Sequence, residues 1–477
     1  MRWPLNRIGA GSWLPVFLVF IIAALPAAES SHSRFLPVFQ SDSSGYLGLS
    51  LVNTAGSADE VSITWVDPDG KAARTGRLSL PPGAQRAFLV REILGMTLDP
   101  EEGWIRIDAS GSGLLSYLTL GTDGTLDGAE PVLLPATSIV LDHVKVNTGF
   151  VELDYADTSL ILVNPGAAPA TARVDLIALD GRLAGSLPVF IPSRGSRTVR
   201  ISESFRDVLP PNNPGGRKFD GYAKIFSDEA LAGWLRIDTP LSVRLLRGRA
   251  LLEIDSASLV MAAHFASGGA SLYRSTLNLI NTGDASAKLE LIAQDDRGRI
   301  VGSSVHLSLN PGQGIREDVL SLFRVVQPAI FPPPLLTGYI RIRESGGSLF
   351  RGIGNIDIHS DGNAVAALFP IAAATSREWT LPFVVNGQEY FTGYVIVNPN
   401  ELLTVQTDVT VELLDTEGRP AAAPRNISLS PSARFSGLVD KEISSGYLRI
   451  RANAPVAVLG SIGTCRGSTL AFLPAIP

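Results

Sequence analysis

Apolar and polar residues alternate along several short segments of the chain, and turn residues separate these segments. Four of them are rich in β-branched residues or leucine, and an acidic residue and a glycine follow each; they are 61–66, 174–179, 289–293 and 409–414. When apolar and polar residues alternate along a strand, one face of the strand lies toward a core and the other toward water, as in antiparallel sheets. Short strands at intervals of roughly ten residues predict β-sandwiches.

A recurring set of landmarks divides the chain into four copies of one unit. A strand-like segment ends in an asparagine in each copy, and these asparagines are 111, 117 and 117 residues apart. A turn glycine beside an acid, a proline and a Gly-aromatic-x-Arg-Ile segment then follow in the same order. The four sets are Asn53, Gly70, Pro82 and 103–107; Asn164, Gly181, Pro192 and 233–237; Asn281, Gly298, Pro311 and 338–342; Asn398, Gly418, Pro431 and 446–450. This order predicts a tandem repeat.

The repeat gives the predicted domain organisation. We expect an all-β protein of four tandem antiparallel β-sandwich domains, over 31–138, 139–262, 263–375 and 376–477. Short helical turns after the proline landmark, at 90–94 and 318–323, would bridge the two sheets of a domain. The segments between copies are short, which predicts a semi-rigid rod. In copy two, the insertion 209–220 leads into an additional strand, 221–225.

The landmark pattern resembles a tandem repeat of exported bacterial proteins whose function is uncharacterised. The resemblance covers nearly all of the chain after residue 30 and rests on the Asn-ended strand, the acid-turn-Gly, the Pro-Gly and the Gly-aromatic-x-Arg-Ile segments. It implies immunoglobulin-like sandwiches and an extracellular or surface role, and it implies no catalytic residues. Copies two and four depart from it, with Ser193 and Ser432 after the proline.

The N-terminus has the pattern of an export signal. Arg2 and Arg7 precede an apolar run at 13–25, and small residues follow up to Ser30. This arrangement predicts a Sec-type signal peptide over 1–30, with cleavage after Ser30 or, alternatively, after Ala27 or Ala28. The alternative is an uncleaved anchor through 8–28, in which case this segment would be the protein's contact with a membrane. The protein is therefore expected to be periplasmic, extracellular or surface-associated.

Composition and motifs argue against several function classes. Charged residues make up 18% of the chain and the net charge is −6, so we expect no nucleic-acid partner. One Cys and five His leave no disulfide framework or Cys-rich zinc site, and we expect no metal and no cofactor. The sequence contains no G-x-S-x-G, H-E-x-x-H or P-loop pattern, so we expect no enzyme. A triad assembled in space would start from Asp142 and His143 or from Asp357 and His359; the favoured interpretation is strand-edge or turn histidines.

Two acidic turns raise the question of calcium. The segments 67–70 and 123–127 offer carboxylate oxygens, but neither has the ligand spacing of a calcium loop. Asp and Gly also favour hairpin turns for conformational reasons, and that interpretation is preferred. The recurring asparagine is likewise interpreted as structural, because its side chain can hydrogen-bond the nearby backbone.

The aromatic of the Gly-aromatic segment allows two interpretations. Exposed, these rings would form platforms for sugars; at one strand position in every copy, they are better explained as packing rings. The set is Trp104, Trp234, Tyr339 and Tyr447. The arginines two residues later point to the opposite face, where we expect solvated pairs with acids or, alternatively, recognition of an anionic glycan; they are Arg106, Arg236, Arg341 and Arg449.

The insertions of copies two and three, over 209–220 and 327–336, are the predicted contact loops. Possible ligand or partner contacts there are Arg217, Lys218, Phe219, Phe331 and Leu335, unless the loops pack against a domain. The function predicted is an exported, non-enzymatic structural or adhesive module at the cell surface or outside the cell, with a protein or glycan of the envelope as partner. The alternative is a carbohydrate-binding protein that uses exposed aromatics and loops.

Overall fold

The computed structural model confirms the all-β prediction of antiparallel sandwiches. It describes residues 32–39, 45–122, 125–149, 155–212, 215–347, 349–360, 366–372, 374–401, 406–465 and 469–477. The predicted signal peptide and Asp123 lie outside these residues. In the described part of the chain, no helix is long and apolar enough to cross a membrane.

The first repeat consists of two antiparallel sheets of four strands. Its strands are β1 His32–Phe39, β2 Tyr46–Asn53, β3 Asp59–Val66, β4 Ala72–Leu80, β5 Gln85–Leu89, β6 Glu102–Ala109, β7 Leu114–Thr122 and β8 Thr125–Ala129. One sheet has the order β1-β6-β3-β4 and the other β5-β2-β7-β8. The alternating residues of β3, such as Val61 and Ile63, are buried between the sheets, as the sequence pattern predicts.

The second repeat follows the same plan with one long strand shared by both sheets. Its strands are β9 Ala136–Asn147, β10 Asp157–Val163, β11 Ala170–Ala178, β12 Leu183–Ile191, β13 Ser196–Arg200, β14 Pro211–Asn212, β15 Gly216–Asp238, β16 Val243–Arg247 and β17 Arg249–Ala250. The first part of β15 pairs with β9 and β11, and the last part pairs with β10 and β16.

The third and fourth repeats have the strand order of the first. The third has β18 Leu259–Ser267, β19 Tyr273–Asn281, β20 Ala287–Gln294, β21 Val305–Leu309, β22 Gly314–Asp318, β23 Leu336–Glu344, β24 Gly352–Ser360 and β25 Ala366–Pro370. The fourth has β26 Ser376–Asn386, β27 Tyr390–Val397, β28 Thr407–Leu414, β29 Arg425–Leu429, β30 Arg434–Leu438, β31 Ile443–Thr464 and β32 Leu470–Leu473, and β31 is shared by both sheets. The predicted boundaries after 138 and 262 fall inside β9 and β18.

Short helices follow the proline turn, as predicted. They are α1 Val90–Leu94, α2 Ile201–Ser204 and α3 Val319–Leu322, and a 3₁₀ turn covers Leu251–Glu253. The helix α1 ends at Gly95 in the left-handed conformation, and the Glu92 carboxylate accepts the Leu89 N–H at its start. Each helix buries its first residue, which connects the fifth strand of its repeat to the core.

The strand pairing corrects one assignment in the second repeat. Gly221–Ile225 pairs with β9 and β11, as Gly103–Ile107 pairs with β1 and β3. The segment predicted as an additional strand is therefore the equivalent of the landmark, whereas Gly233–Ile237 belongs to the other sheet. The error arose because two Gly-aromatic-x-basic-Ile segments occur in one continuous strand, and spacing alone could not tell which sheet each one joins.

The repeats contact each other in a closed circuit, and this corrects the expectation of a rod. Ser31–Pro477 is one compact unit. One strand from each repeat takes part in this circuit: β8 contacts β16, β16 contacts β25, β25 contacts β32, and β32 contacts β8 again. A linear array has no contact between its first and last repeats. The fourth repeat therefore closes on the first through an interface that the short connecting segments did not reveal.

Candidate functional sites at the repeat junctions

The same hydrogen bonds form each of the four junctions. An aromatic side chain of one repeat donates to the backbone carbonyl of the turn after the proline in the next repeat. The pairs are Trp104 Nε1 to Arg194 O at 2.8 Å, Tyr222 Oη to Gly312 O at 2.8 Å, Tyr339 Oη to Ser432 O at 2.6 Å, and Tyr447 Oη to Gly83 O at 2.8 Å. The fourth bond closes the circuit.

A backbone hydrogen bond accompanies each aromatic one. The acidic turn of one repeat accepts the N–H of the fifth strand of the next, with Ser196 donating to Pro68, Gly314 to Leu179, Arg434 to Asp296, and Gln85 to Thr416. The turn glycine lies so close that a Cβ on Gly418 would be 2.3 Å from the Gly83 carbonyl oxygen. The landmarks that define the repeat therefore build the junctions as well as the turns.

The packing interpretation of the aromatic rings is confirmed. Trp104, Trp234, Tyr339 and Tyr447 are at most 4% exposed, so none of them offers a face to a sugar. The recurring asparagines are also structural: Asn53 is fully buried, and its Nδ2 donates to Leu80 O at 2.9 Å. In the first acidic turn, Asp67 Oδ1 accepts the N–H of Asp69 and of Lys71, which is ordinary turn chemistry.

The histidines and aspartates singled out in the sequence meet at the junction of repeats two and three. His143 Nδ1 is 3.1 Å from Asn355 Oδ1, and its Nε2 is 3.9 Å from Asp357 Oδ2. Arg244 Nη1 donates to both oxygens of Asp357 at 2.6 Å. His359 Nδ1 lies 3.8 Å from Asp357 Oδ1. These side chains come from β9, β16 and β24, which no local motif connects.

Burial and charge shift the pKa values of three side chains in this cluster. Burial lowers the pKa of His143 well below its usual value, so the ring is neutral. The pKa of Asp357 is depressed; burial opposes the depression, and the positive charge of Arg244 outweighs burial. Burial raises the pKa of Asp142 to about 6. His143 is fully buried, so a substrate has no access to it in this conformation. The cluster forms buried polar contacts between repeats two and three.

The junction of repeats three and four carries a related contact. His264 occupies the place of His143, one residue before the residue that pairs with the landmark glycine. Its Nδ1 is 2.8 Å from Arg434 Nη1, and Arg434 also donates to Asp296 Oδ1 at 2.8 Å. Because arginine only donates, Nδ1 must accept, and the histidine must be neutral. Burial, and then the charge of Arg434, lower the pKa of His264 to about 3.

The other two junctions contain open clefts. Between repeats one and two, a polar cleft of about 550 Å³ is lined by side chains that include Glu102, Arg197, Arg200, Glu203 and Arg236. Arginines and acids alternate there: Arg236 pairs with Asp238 at 2.6 Å and Arg200 with Glu203 at 3.0 Å. Between repeats four and one, a cleft of about 290 Å³ is mainly apolar.

The predicted loop contacts divide into two groups. Phe219 is 7% exposed in the core of the second repeat, which corrects its assignment as a contact residue: the strand β15 turns it inward. Arg217 lies half-buried with its Nε donating to Arg206 O at 2.7 Å, and Lys218 is exposed. Phe331 and Leu335 are 85% and 54% exposed, and the structure brings neither of them to Phe219.

Sequence reasoning missed the junctions as places where function could reside. The sequence does indicate where a cleft can open at a junction: Gly48, Ser50 and Ala87 are small residues at positions that carry larger side chains in the third repeat. This difference can be interpreted only when it is known that these strand faces contact another repeat.

The comparisons with known proteins give little beyond this geometry. No family model and no curated protein matches the chain. Among solved structures, the chain is similar to Thermotoga maritima 1070, with 16% identity, a TM-score of 0.19 and coverage of 24% of this chain and 95% of that one. It is similar to the Anabaena sensory rhodopsin transducer, with 14% identity, a TM-score of 0.18 and coverage of 21% and 87%. A glycoside hydrolase family 32 structure from Bifidobacterium adolescentis has 10% identity, a TM-score of 0.14 and coverage of 92% and 99%. TM-scores this low carry no argument about function.

Proposed function

We propose that the protein is an exported, non-enzymatic scaffold that acts as a structural or adhesive module at the cell surface or outside the cell. The observation that carries the proposal is a group of exposed apolar side chains in the insertion of the third repeat. Val326, Ile330, Phe331 and Leu335 are 91%, 61%, 85% and 54% exposed. Apolar side chains grouped in this way are typical of an interaction surface.

The rest of the molecule supports a scaffold. The landmark aromatics and asparagines are buried and serve the turns and junctions. Asp142, His143 and Asp357 are buried, which favours a structural role for most of the residues from which a catalytic site would have been built. Loops held by a firmly packed body can present a surface to a partner without losing much conformational entropy on binding. The partner proposed is a protein or glycan of the cell envelope.

Retention of residues 31–477 on isolated cell envelopes tests this function. We expect retention, and we expect the double variant Phe331→Ser and Leu335→Ser to lose most of it. Leu252→Ser is the matched control, because Leu252 is 91% exposed on a different repeat. Equal retention of the parent protein, the double variant and the control would show that the apolar loop of the third repeat does not contribute to binding. Retention on an insoluble polysaccharide, competed by its soluble oligosaccharide, would favour the carbohydrate-binding alternative.

A further inference from the structure

The cleft between repeats four and one is lined by aromatic rings from both repeats. Tyr46 and Phe88 belong to the first repeat, and Phe383 and Tyr390 to the fourth. All four are half-buried, so their rings cover the walls while the cleft stays open. The hydroxyl of Tyr46 is hydrogen-bonded to that of Tyr390 across the junction. The volume, about 290 Å³, suits a small organic molecule or head group.

The space exists because short side chains stand at one pair of strand positions. In the first repeat, Ser50 of β2 pairs with Ala87 of β5. The corresponding pair in the third repeat is Asn278 and Arg316, and both side chains lie within the buried polar junction. Gly48 likewise corresponds to Thr276. The third repeat therefore fills these positions with its own side chains, whereas the first repeat leaves them open at its junction with the fourth repeat.

The charges around the cleft favour a positive ligand. Among the described residues that line it there is no lysine or arginine, and Glu92 contributes a carboxylate. A second carboxylate, Glu389, is near enough to Tyr46 to help raise the pKa of its hydroxyl, after burial and the bond to Tyr390. Tyr46 therefore stays neutral, with an intact ring face. Aromatic faces attract cations, most strongly where water is partly excluded.

We propose that this cleft binds an organic cation bearing a quaternary or alkylated ammonium group. The four rings would surround the alkyl groups, and Glu92 and Glu389 would supply the negative potential. An anionic ligand would find no basic partner on the described lining. This binding function is additional to the scaffold role and does not depend on the apolar loop of the third repeat.

Calorimetric titration of residues 31–477 with choline and with 3,3-dimethylbutan-1-ol tests the proposal. The alcohol has the shape of choline without its charge, so the comparison isolates the cation. We expect choline to bind with a dissociation constant below about 1 mM and at least about tenfold more tightly than the alcohol. Equal affinity for the two, tighter binding of the alcohol, or no heat with either compound would overturn the proposal.

Variants locate the site. A Cβ on Gly48 would contact Thr119 at 3.6 Å, an ordinary distance, so Gly48→Leu should fold and fill the cleft. We expect it to weaken choline binding at least about tenfold. The control is Ser159→Leu, at the same strand position in the polar cleft of the first junction, with choline binding unchanged. Phe383→Leu should weaken choline binding and leave that of the alcohol unchanged. Full choline affinity in a folded Gly48→Leu variant would show that the site is wrong.

A vesicle arm distinguishes two sources of the cation. Cosedimentation with phosphatidylcholine vesicles, reversed by free choline and absent in Gly48→Leu, would identify a lipid head group. Choline binding without cosedimentation would identify a soluble cation. Either result supports the proposed site, whereas cosedimentation that persists in Gly48→Leu contradicts it.

Discussion

At the scale of single residues, one aromatic hydrogen bond per junction links the four repeats. The donor always lies just after the landmark glycine, in β6, β15, β23 or β31, and the acceptor is always a backbone carbonyl. Backbone acceptors place no demand on the side chain of the partner. This explains why Gly83, Arg194, Gly312 and Ser432 can all serve as acceptors while the donor remains Trp or Tyr.

Removing the hydroxyl at the closing junction should reduce stability modestly. We expect Tyr447→Phe to lower the free energy of unfolding by about 0.5–1.5 kcal/mol, since the Gly83 carbonyl loses a partner while the ring still packs. Denaturant titration measures the change. Tyr155→Phe is the control, because the Tyr155 hydroxyl has no hydrogen-bond partner among the described residues. The same loss in both variants would contradict the role assigned to Tyr447.

The buried histidine of the third junction should make the protein sensitive to acid. The folded-state pKa of His264 is about 3, below the usual histidine value of 6.5, so protonation favours the unfolded chain. Its stabilisation is complete above pH 6.5 and is lost as the pH falls from there toward 3. We expect wild-type stability to fall by up to about 1.4 kcal/mol per pH unit more than that of His264→Asn, which does not titrate. Parallel pH profiles of unfolding would refute this.

At the scale of elements, the acidic turns and the turns after the proline fit together as pairs. The turn glycines have positive φ, as Gly418 does at 77°, and each one packs against the neighbouring repeat. The turn glycine therefore meets two requirements: it adopts a positive φ within its own repeat, and it leaves room for the backbone of the next repeat. Because glycine meets both, it recurs in every copy although the other residues of the turn differ.

Substitution of two glycines separates the effect of the positive φ from the effect of the contact with the next repeat. Gly347 has a φ of 84°, and a Cβ added there would have no atom within 4 Å, whereas a Cβ on Gly418 would meet the Gly83 carbonyl oxygen at 2.3 Å. We expect Gly347→Ala to cost about 1–2 kcal/mol from backbone strain alone. Gly418→Ala should cost at least about 1 kcal/mol more, because the junction must shift. Equal losses in thermal unfolding would show that the junction tolerates the methyl group.

At the scale of the whole molecule, the four junctions share the same aromatic and backbone hydrogen bonds, although they differ in chain connectivity. Three junctions join consecutive repeats, and the fourth joins the last to the first. Apolar cores also run across junctions: Trp234 of the second repeat belongs to the core cluster of the first. We therefore expect residues 31–477 to unfold cooperatively rather than repeat by repeat.

A circular permutant tests this equivalence. The permuted chain begins at residue 376, joins residue 477 to residue 31 through a flexible linker of about 15 residues, and ends at residue 375. Because the closing junction resembles the others, we expect one unfolding transition with a Tm within about 5 °C of the parent. Separate transitions in the permutant, with one in the parent, would show that the closing junction depends on the native connectivity.

Much of the fold could be predicted because its determinants are local. Alternation in segments such as 61–66 specifies strands, and the spacing of Asn53, Asn164, Asn281 and Asn398 counts the repeats. Burial of the recurring rings also followed from the pattern, although in the second repeat Tyr222 holds the landmark position and Trp234 lies in the other sheet. The predictions failed where two local patterns were alike, as with 221–225 and 233–237 in β15.

The sequence by itself thus determined the class of the fold, the number of repeats and the residues that build their turns, because each depends on neighbours within one repeat. Only the tertiary structure decided which repeats touch, that Tyr447 meets Gly83, that Phe219 is buried and Phe331 is not, and that a cleft opens beside Gly48. A strand's period of two tells which residues share a face and not what that face meets. Contacts between residues hundreds of positions apart depend on how whole domains pack, which no local pattern records.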